Sequence, residues 1–158
     1  MQIVVISDTH GRNEVLQELR ERHPQASAFL HCGDSETPES YLDGYVSVQG
    51  NNDYYADYPQ EVILELEGIR LFMTHGQFLR YHNRYEILVS KAKEHACTLV
   101  LHGHTHIYDV RIIDGITLVN PGSLYHSRDM SPPSYALITI NANQISVQRI
   151  NYLRTNHK

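Results

Sequence analysis

Five short segments carry most of the side chains in this chain that are equipped for chemistry. They are Ser7-Asp8-Thr9-His10-Gly11, His31-Cys32-Gly33-Asp34, Gly50-Asn51-Asn52-Asp53, Thr74-His75-Gly76 and His102-Gly103-His104-Thr105-His106. Carboxylate, amide oxygen and imidazole suit hard or borderline divalent cations, and thiolate is nearly absent. The seven strongest ligand candidates are Asp8, His10, Asp34, Asn51, His75, His104 and His106. That is too many for one tetrahedral site with an open position, so two ions fit better than one, and Asp34 is available to bridge them. Glycine adjoins the ligands at Gly11, Gly33, Gly50, Gly76 and Gly103, where sharp turns and a close backbone approach to an ion favour it. A lone Asp-x-His pair would carry little weight; five such segments together do.

The elements that must position these side chains are legible beside them. Each segment closes a short apolar run: Ile3 to Ile6, Ala28 to Leu30, Tyr45 to Val48, Arg70 to Met73 and Leu99 to Leu101. The runs have strand length and are rich in β-formers. Asn13 is placed to cap a helix whose Val15, Leu16 and Leu19 share one face, and Pro24 lies beyond its end. A second helix is expected through Tyr85, Leu88, Val89, Ala92 and Ala96. After His106 the pattern changes to hairpins, Tyr108 to Ile113 with Ile116 to Val119 around Asp114-Gly115, then Tyr135 to Ile140 with Gln144 to Ile150 around Asn141 to Asn143. The fold class is therefore α/β, with two mixed sheets packed as a sandwich and helices outside. Ligands bind outside the carboxyl ends of strands in such sheets, so the five loops are expected to meet in one crevice. His104 and His106 would face one side if their strand continued. The positive end of the first helix, aimed at that crevice, would favour an anionic phosphate.

Composition narrows the classes. With 158 residues the chain is expected to be a single domain spanning 1–158. No apolar run approaches membrane-spanning length, and Met1-Gln2 leads straight into a strand, which points to the cytoplasm. Cys32 and Cys97 form no metal-binding pair by spacing and read as reduced, structural residues. The formal charge is −5 and the basic residues are scattered, so long nucleic acid is a poor partner. Eleven histidines are the unusual feature, and most of the informative ones lie in the five segments.

Taken in order, Asp8-Thr9-His10, Gly33-Asp34, Gly50-Asn51-Asn52-Asp53, Thr74-His75-Gly76 and Gly103-His104-Thr105-His106 resemble the calcineurin-like metallophosphoesterases. Asn120-Pro121-Gly122-Ser123 with Arg128 resembles their small single-domain bacterial and archaeal phosphodiesterases. The resemblance spans nearly the whole chain and implies the four-layer α/β/β/α form of the fold. It implies that Asp8, His10 and His106 bind one metal, that Asn51, His75 and His104 bind the other, and that Asp34 bridges them. The implied metal is manganese first, with zinc, iron, nickel and cobalt as alternatives. Asp34, Asn51, Asn52 and His10 are the expected catalytic residues. A hydroxide held between two ions would attack phosphorus in line. Where the family often has a histidine to protonate the leaving group this chain has Asn52, which leaves the proton donor unassigned. The expected partner is a small phosphoester, most often a diester, and a homodimer is compatible with the chain.

Other readings stand beside this one. A phosphomonoesterase or nucleotide phosphatase would need further cations, for which Arg80 and Arg84 are candidates; a nuclease lacks its basic groove. A non-catalytic scaffold of the same fold would have no chemical reason to keep all seven ligands. His31 and His102 are either donors behind the ligands or buried histidines satisfied by backbone. His126 and Arg128 are candidates to reach substrate phosphate or to belong to an ordinary loop. Asp53 reads as a loop anchor, and Tyr54, Tyr55 and Tyr58 as loop packing, an interface or a stacking platform. His23, His82, His95 and His157 read as surface residues.

Overall fold

The computed structural model describes residues 1–54 and 57–153. Tyr55 and His157 lie outside the described residues. The elements run β1 (Gln2–Ile6), α1 (Asn13–Arg22), β2 (Ala28–His31), a 3-10 turn (Glu39–Leu42), β3 (Tyr45–Ser47), β4 (Glu61–Leu66) and β5 (Ile69–Thr74). They continue as α2 (Arg84–Glu94), β6 (Leu99–Leu101), β7 (Asp109–Ile113), β8 (Ile116–Asn120), β9 (Ser134–Asn141) and β10 (Gln144–Asn151). Two five-stranded mixed sheets result, ordered β10-β9-β1-β2-β3 and β4-β5-β6-β8-β7. Within them β1, β2 and β3 are parallel, as are β5, β6 and β8.

Three apolar layers explain the stacking. Ile3 and Val5 of β1 meet Leu71, Met73, Leu99 and Leu101 between the sheets, with Ile138 and Ile140. The alternate residues Val4 and Ile6 face the other way and pack with Val15, Leu16 and Leu19 of α1. Phe72, Val100 and Leu118 likewise turn outward against Leu88, Val89 and Ala92 of α2. The central strands are thus buried on both faces, which is why they read as continuous apolar runs instead of alternating ones. Each fully buried Leu or Val of α1 contributes roughly 1.5–3 kcal/mol. A ten-residue helix is marginal alone, so this docking is what holds it. The α/β/β/α order matches the sequence reading, and no helix among the described residues is long and apolar enough to cross a membrane.

Several local expectations are corrected. Asn13 is the first helical residue, not a cap; its side-chain oxygen accepts a hydrogen bond from the Thr37 hydroxyl. Ala96 falls beyond α2, at a φ of 55°. The sequence reading omitted β4, which pairs with β5 around Glu67-Gly68. That turn, Asp114-Gly115 and Ala142-Asn143 each have positive φ at both central residues, the geometry that matches strand twist in two-residue hairpins. Asn141 belongs to β9 rather than to its turn. Two of the supposed surface histidines are partly buried: His23 Nε2 lies 2.7 Å from the Tyr135 hydroxyl, and His95 stacks on Phe72 at 6.0 Å.

Candidate metal centre

The carboxyl ends of β1, β2, β3, β5 and β6 deliver the five segments to one place, and backbone bonds lock them together past the strand ends. Asp8 N–H donates to Gly33 O at 3.0 Å, His10 N–H to Asp34 O at 3.0 Å and Gly11 N–H to Ser35 O at 2.7 Å. Gly103 N–H donates to His75 O at 3.2 Å across the other sheet. Five of the seven candidate ligands sit in the left-handed region: Asp8 (φ 54°), His10 (44°), Asp34 (60°), His104 (73°) and His106 (60°). Each such residue without glycine's freedom costs on the order of 1–2 kcal/mol. Strain of this kind persists where the surroundings over-determine it, commonly at functional sites. It also corrects the expectation that His104 and His106 extend a strand; they leave β6 in a loop that turns both rings inward.

Two groups of ligand atoms form, Asp8 with His10 and His106, and Asp8 with Asp34 and His75, all within 4.8 Å of one another inside each group. The Asn51 side-chain oxygen adjoins the second group, 3.1 Å from His75 Nε2 and 3.2 Å from His104 Nδ1. All seven candidates are therefore brought together. Asp8 stands in both groups.

The donor set fits cations on an argument from tautomers. His10 Nδ1 lies 2.7 Å from the Glu36 carboxylate, His75 Nδ1 2.7 Å from Cys32 O and His106 Nδ1 2.8 Å from His126 O. Carboxylates and carbonyls only accept, so in each neutral ring Nδ1 carries the hydrogen and Nε2 presents a lone pair. Those lone pairs face further acceptors. His10 Nε2 is 3.2 Å from His106 Nε2, and His75 Nε2 is 3.3 Å from Asp34 Oδ2. Asp8 Oδ1 is fully buried without a hydrogen-bond partner, while His106 Nε2 lies 3.2 Å and His75 Nε2 3.8 Å from it. Such a concentration of acceptors is repulsive unless positive charge lies among them. With protons in place of metal, burial pulls the His75 pKa down, but its bond to Asp34 and the charges of Asp8 and Asp34 outweigh burial and raise it. Burial alone would push Asp8 up; a doubly protonated His106, whose Nε2 would then donate to Asp8, and the charge of His75 instead hold it down to about 2.

The supports behind the ligands are specific. Asp53 accepts the backbone N–H groups of Asp34 (2.9 Å), Glu36 (2.9 Å) and Gly50 (2.8 Å), the anchor expected of it. Asn52 donates its backbone N–H to Asp34 Oδ1 at 2.9 Å and its amide to Oδ2 at 3.2 Å, so it clamps Asp34. Ser123 donates to Asp8 O at 2.8 Å, and Asn120 donates to Gly103 O and Thr105 Oγ1 at 3.2 and 2.9 Å. His31 accepts from Gly33 N–H at 3.0 Å and meets Thr9 Oγ1 at 2.9 Å; burial pushes its pKa down to about 4. His102 Nδ1 accepts from Arg84.

Arg84 corrects a sequence expectation. It is buried, and donates to His75 O, Gly76 O and Gly103 O at 3.3, 2.9 and 2.6 Å, tying two ligand loops together. It is spent as a brace and does not face substrate, while Arg80 is exposed. His126 and Arg128 are exposed; Arg128 Nη1 lies 3.5 Å from His104 O. Tyr54 is exposed, and Tyr58 packs beneath α1. Sequence reasoning missed Glu36, Arg12 and Tyr125. Glu36 follows Asp34 without any recurrent spacing, and the other two carried no signal beyond lying near segments already named.

Comparison with known proteins identifies the family. The chain is 31% identical over 151 residues to a probable metallophosphoesterase of Bacillus subtilis, covering 94% of this chain and 89% of that protein. It is 24% identical over 144 residues to a phosphodiesterase of Methanocaldococcus jannaschii, covering 77% of this chain and 83% of the relative. A crystal structure of a predicted phosphoesterase from Streptococcus pneumoniae TIGR4 superposes with a TM-score of 0.88 at 31% identity, covering 95% of this chain and 88% of that one. Residues 1–143 match the calcineurin-like phosphoesterase superfamily domain, and the chain belongs to that superfamily.

Proposed function

We propose that this protein is a dinuclear metal-dependent phosphoesterase acting on small phosphodiesters. The observation that carries the reading is the buried, unpartnered Asp8 Oδ1, faced by imidazole Nε2 atoms whose other nitrogens are already committed. Asp8, His10 and His106 would hold one ion, and Asn51, His75 and His104 the other, with Asp34, which groups with Asp8 and His75, as the further carboxylate available to them. Two divalent cations there would acidify a water and take up charge developing on phosphoryl oxygens. Manganese is the first expectation, and the mixed nitrogen and oxygen donors also suit zinc, iron, nickel and cobalt.

The chain's own residues do the rest. Glu36, Cys32 O and His126 O fix the Nδ1 hydrogens of His10, His75 and His106, which orients each ring and raises the basicity of its Nε2. Asn52 keeps Asp34 in place and, as a neutral amide, delivers no proton to a leaving group. A diester preference is supported by the name of the M. jannaschii relative and by the burial of Arg84, which removes one cation from those available to a dianionic monoester.

The test is hydrolysis of bis-p-nitrophenyl phosphate beside p-nitrophenyl phosphate, by stripped protein with and without Mn²⁺, and by Asp34→Asn. Mn²⁺-dependent diester turnover that disappears in the variant supports the proposal. Loaded wild-type protein that cleaves neither ester across a broad pH range overturns it and turns attention to the scaffold alternative.

A further inference from the structure

Arg12 occupies the edge of the centre with its charge uncommitted. Its guanidinium carbon lies 4.9 Å from the centroid of the Tyr125 ring, and Nη1 points to Leu124 O at 3.4 Å. No carboxylate lies within ion-pair distance of it among the described residues, whereas Arg22, Arg70 and Arg111 each have one. Tyr125 is half-exposed, and its ring meets the ring of His10 edge-on at 5.3 Å. The stack therefore stands against the His10 side of the ligand cluster. A guanidinium lying on an aromatic face keeps its in-plane N–H edge available, and that fork matches two oxygens of a phosphoryl group or a carboxylate. The ring restricts a side chain that otherwise has many rotamers, so less freedom is lost when an anion docks.

We propose that Arg12 binds a non-bridging oxygen of the substrate's phosphoryl group, and that Tyr125 is the positioning residue that presents it. The inference rests on the phosphoesterase reading for its substrate, but not for its test. Arg12 supplies the anion contact that Arg84, buried behind the ligand loops, does not. Because it adds positive charge beside the reacting group, its contribution is larger for a dianionic monoester than for a monoanionic diester, so it sets how far the site discriminates between them.

The experiment is calorimetric titration of inorganic phosphate into Mn²⁺-loaded wild type, Arg12→Ala, Arg12→Lys, Tyr125→Leu, the Arg12→Ala/Tyr125→Leu double variant and Lys93→Ala, with bound metal measured in each. A charge-assisted hydrogen bond is worth roughly a ten- to hundred-fold change in affinity. Arg12→Ala is expected to weaken phosphate by that factor with bound metal unchanged, and Arg12→Lys to recover part of it. Tyr125→Leu should weaken phosphate by less, and should add nothing in the double variant. Lys93→Ala, which removes an equal charge already paired with Asp114, should bind as wild type. Undiminished binding by Arg12→Ala, or a loss of the same size in Lys93→Ala, overturns the assignment, as does wild type that does not bind phosphate. Additive effects in the double variant overturn the role of Tyr125. Arg12-dependent phosphate binding in a protein that cleaves neither ester would count against the phosphoesterase reading while leaving Arg12 as a phosphate-binding residue presented by Tyr125.

Discussion

Gly50→Ala tests whether one methyl group, at a residue that is not a ligand, displaces a ligand. The φ of Gly50 lies outside the left-handed region, so alanine adds no backbone strain and the effect is steric. The added carbon would sit 2.5 Å from the Asp34 amide nitrogen, 2.8 Å from its Cγ and on top of its Oδ1, where ordinary contact begins at 3.4 Å. Neither group can rotate away. The amide is backbone and is held by Asp53 at 2.9 Å, and the carboxylate is held by both N–H groups of Asn52. The Asp34 segment, or that of Gly50 with the adjoining Asn51, must therefore move by about 1 Å, and a ligand misplacement of that size costs about 100-fold in rate. Overpacking costs about 1–3 kcal/mol, which at about 2–4 °C per kcal/mol lowers the Tm by roughly 2–12 °C. The assay measures Mn²⁺ affinity by calorimetry, diester turnover and Tm on the same preparation. Gly115→Ala is the comparison: its φ is +76° and nothing lies within 4 Å of its added carbon. It should lose about 1 kcal/mol by strain alone and keep its metal affinity and rate. If Gly50→Ala melts lower yet binds Mn²⁺ and turns over diester as wild type does, the reasoning is refuted, because stability would then be lost without moving a ligand.

Two further outcomes follow from single residues. His31 is buried with its pKa pushed from the ordinary 6.5 down to about 4, so between those values the unfolded chain binds a proton that the native ring does not. Its contribution of about 3 kcal/mol is fully present above pH 6.5 and lost as pH falls toward 4; chemical denaturation across that window should show a smaller pH slope in His31→Gln, and an unchanged slope would contradict this. Because Asn52 offers no proton, aryl diesters should show rates that fall steeply as leaving-group pKa rises, and Asn52→His should flatten that line for the poorest leaving groups. A flat line in wild type, with chemistry shown to limit the rate, would refute it.

The sandwich was legible because β1, β5 and β6 are buried on both faces, which makes their apolar runs uninterrupted and hard to mistake. What escaped was strand β4, whose Val62-Ile63-Leu64 does not alternate and whose turn is Glu67-Gly68 rather than an Asn-Gly or Asp-Gly pair. The candidate ligands were legible by residue type at strand ends. Their supports were not, because a brace such as Arg84 bonds to carbonyl groups that every residue possesses, and Glu36 meets His10 across a separation of 26 residues with no repeat to mark it. A cationic side chain also reads alike in sequence whether it faces a ligand or the interior; burial alone separated Arg84 from Arg12.

The network formed by Asp53, Arg84 and Ser123 bears on where metal selectivity resides. These residues bind backbone groups of the ligand loops, so the loops are joined to one another by bonds that do not pass through an ion. On the proposed reading, an arriving cation has little protein to order, and the geometry it meets is set by folding rather than by its own preferences. Such a centre behaves as a rigid mould whose occupant is chosen by fit and by supply. Metal supply, acting within that fit, would then decide which ion the centre carries, and a shift in supply would change its occupant without any change in the sequence.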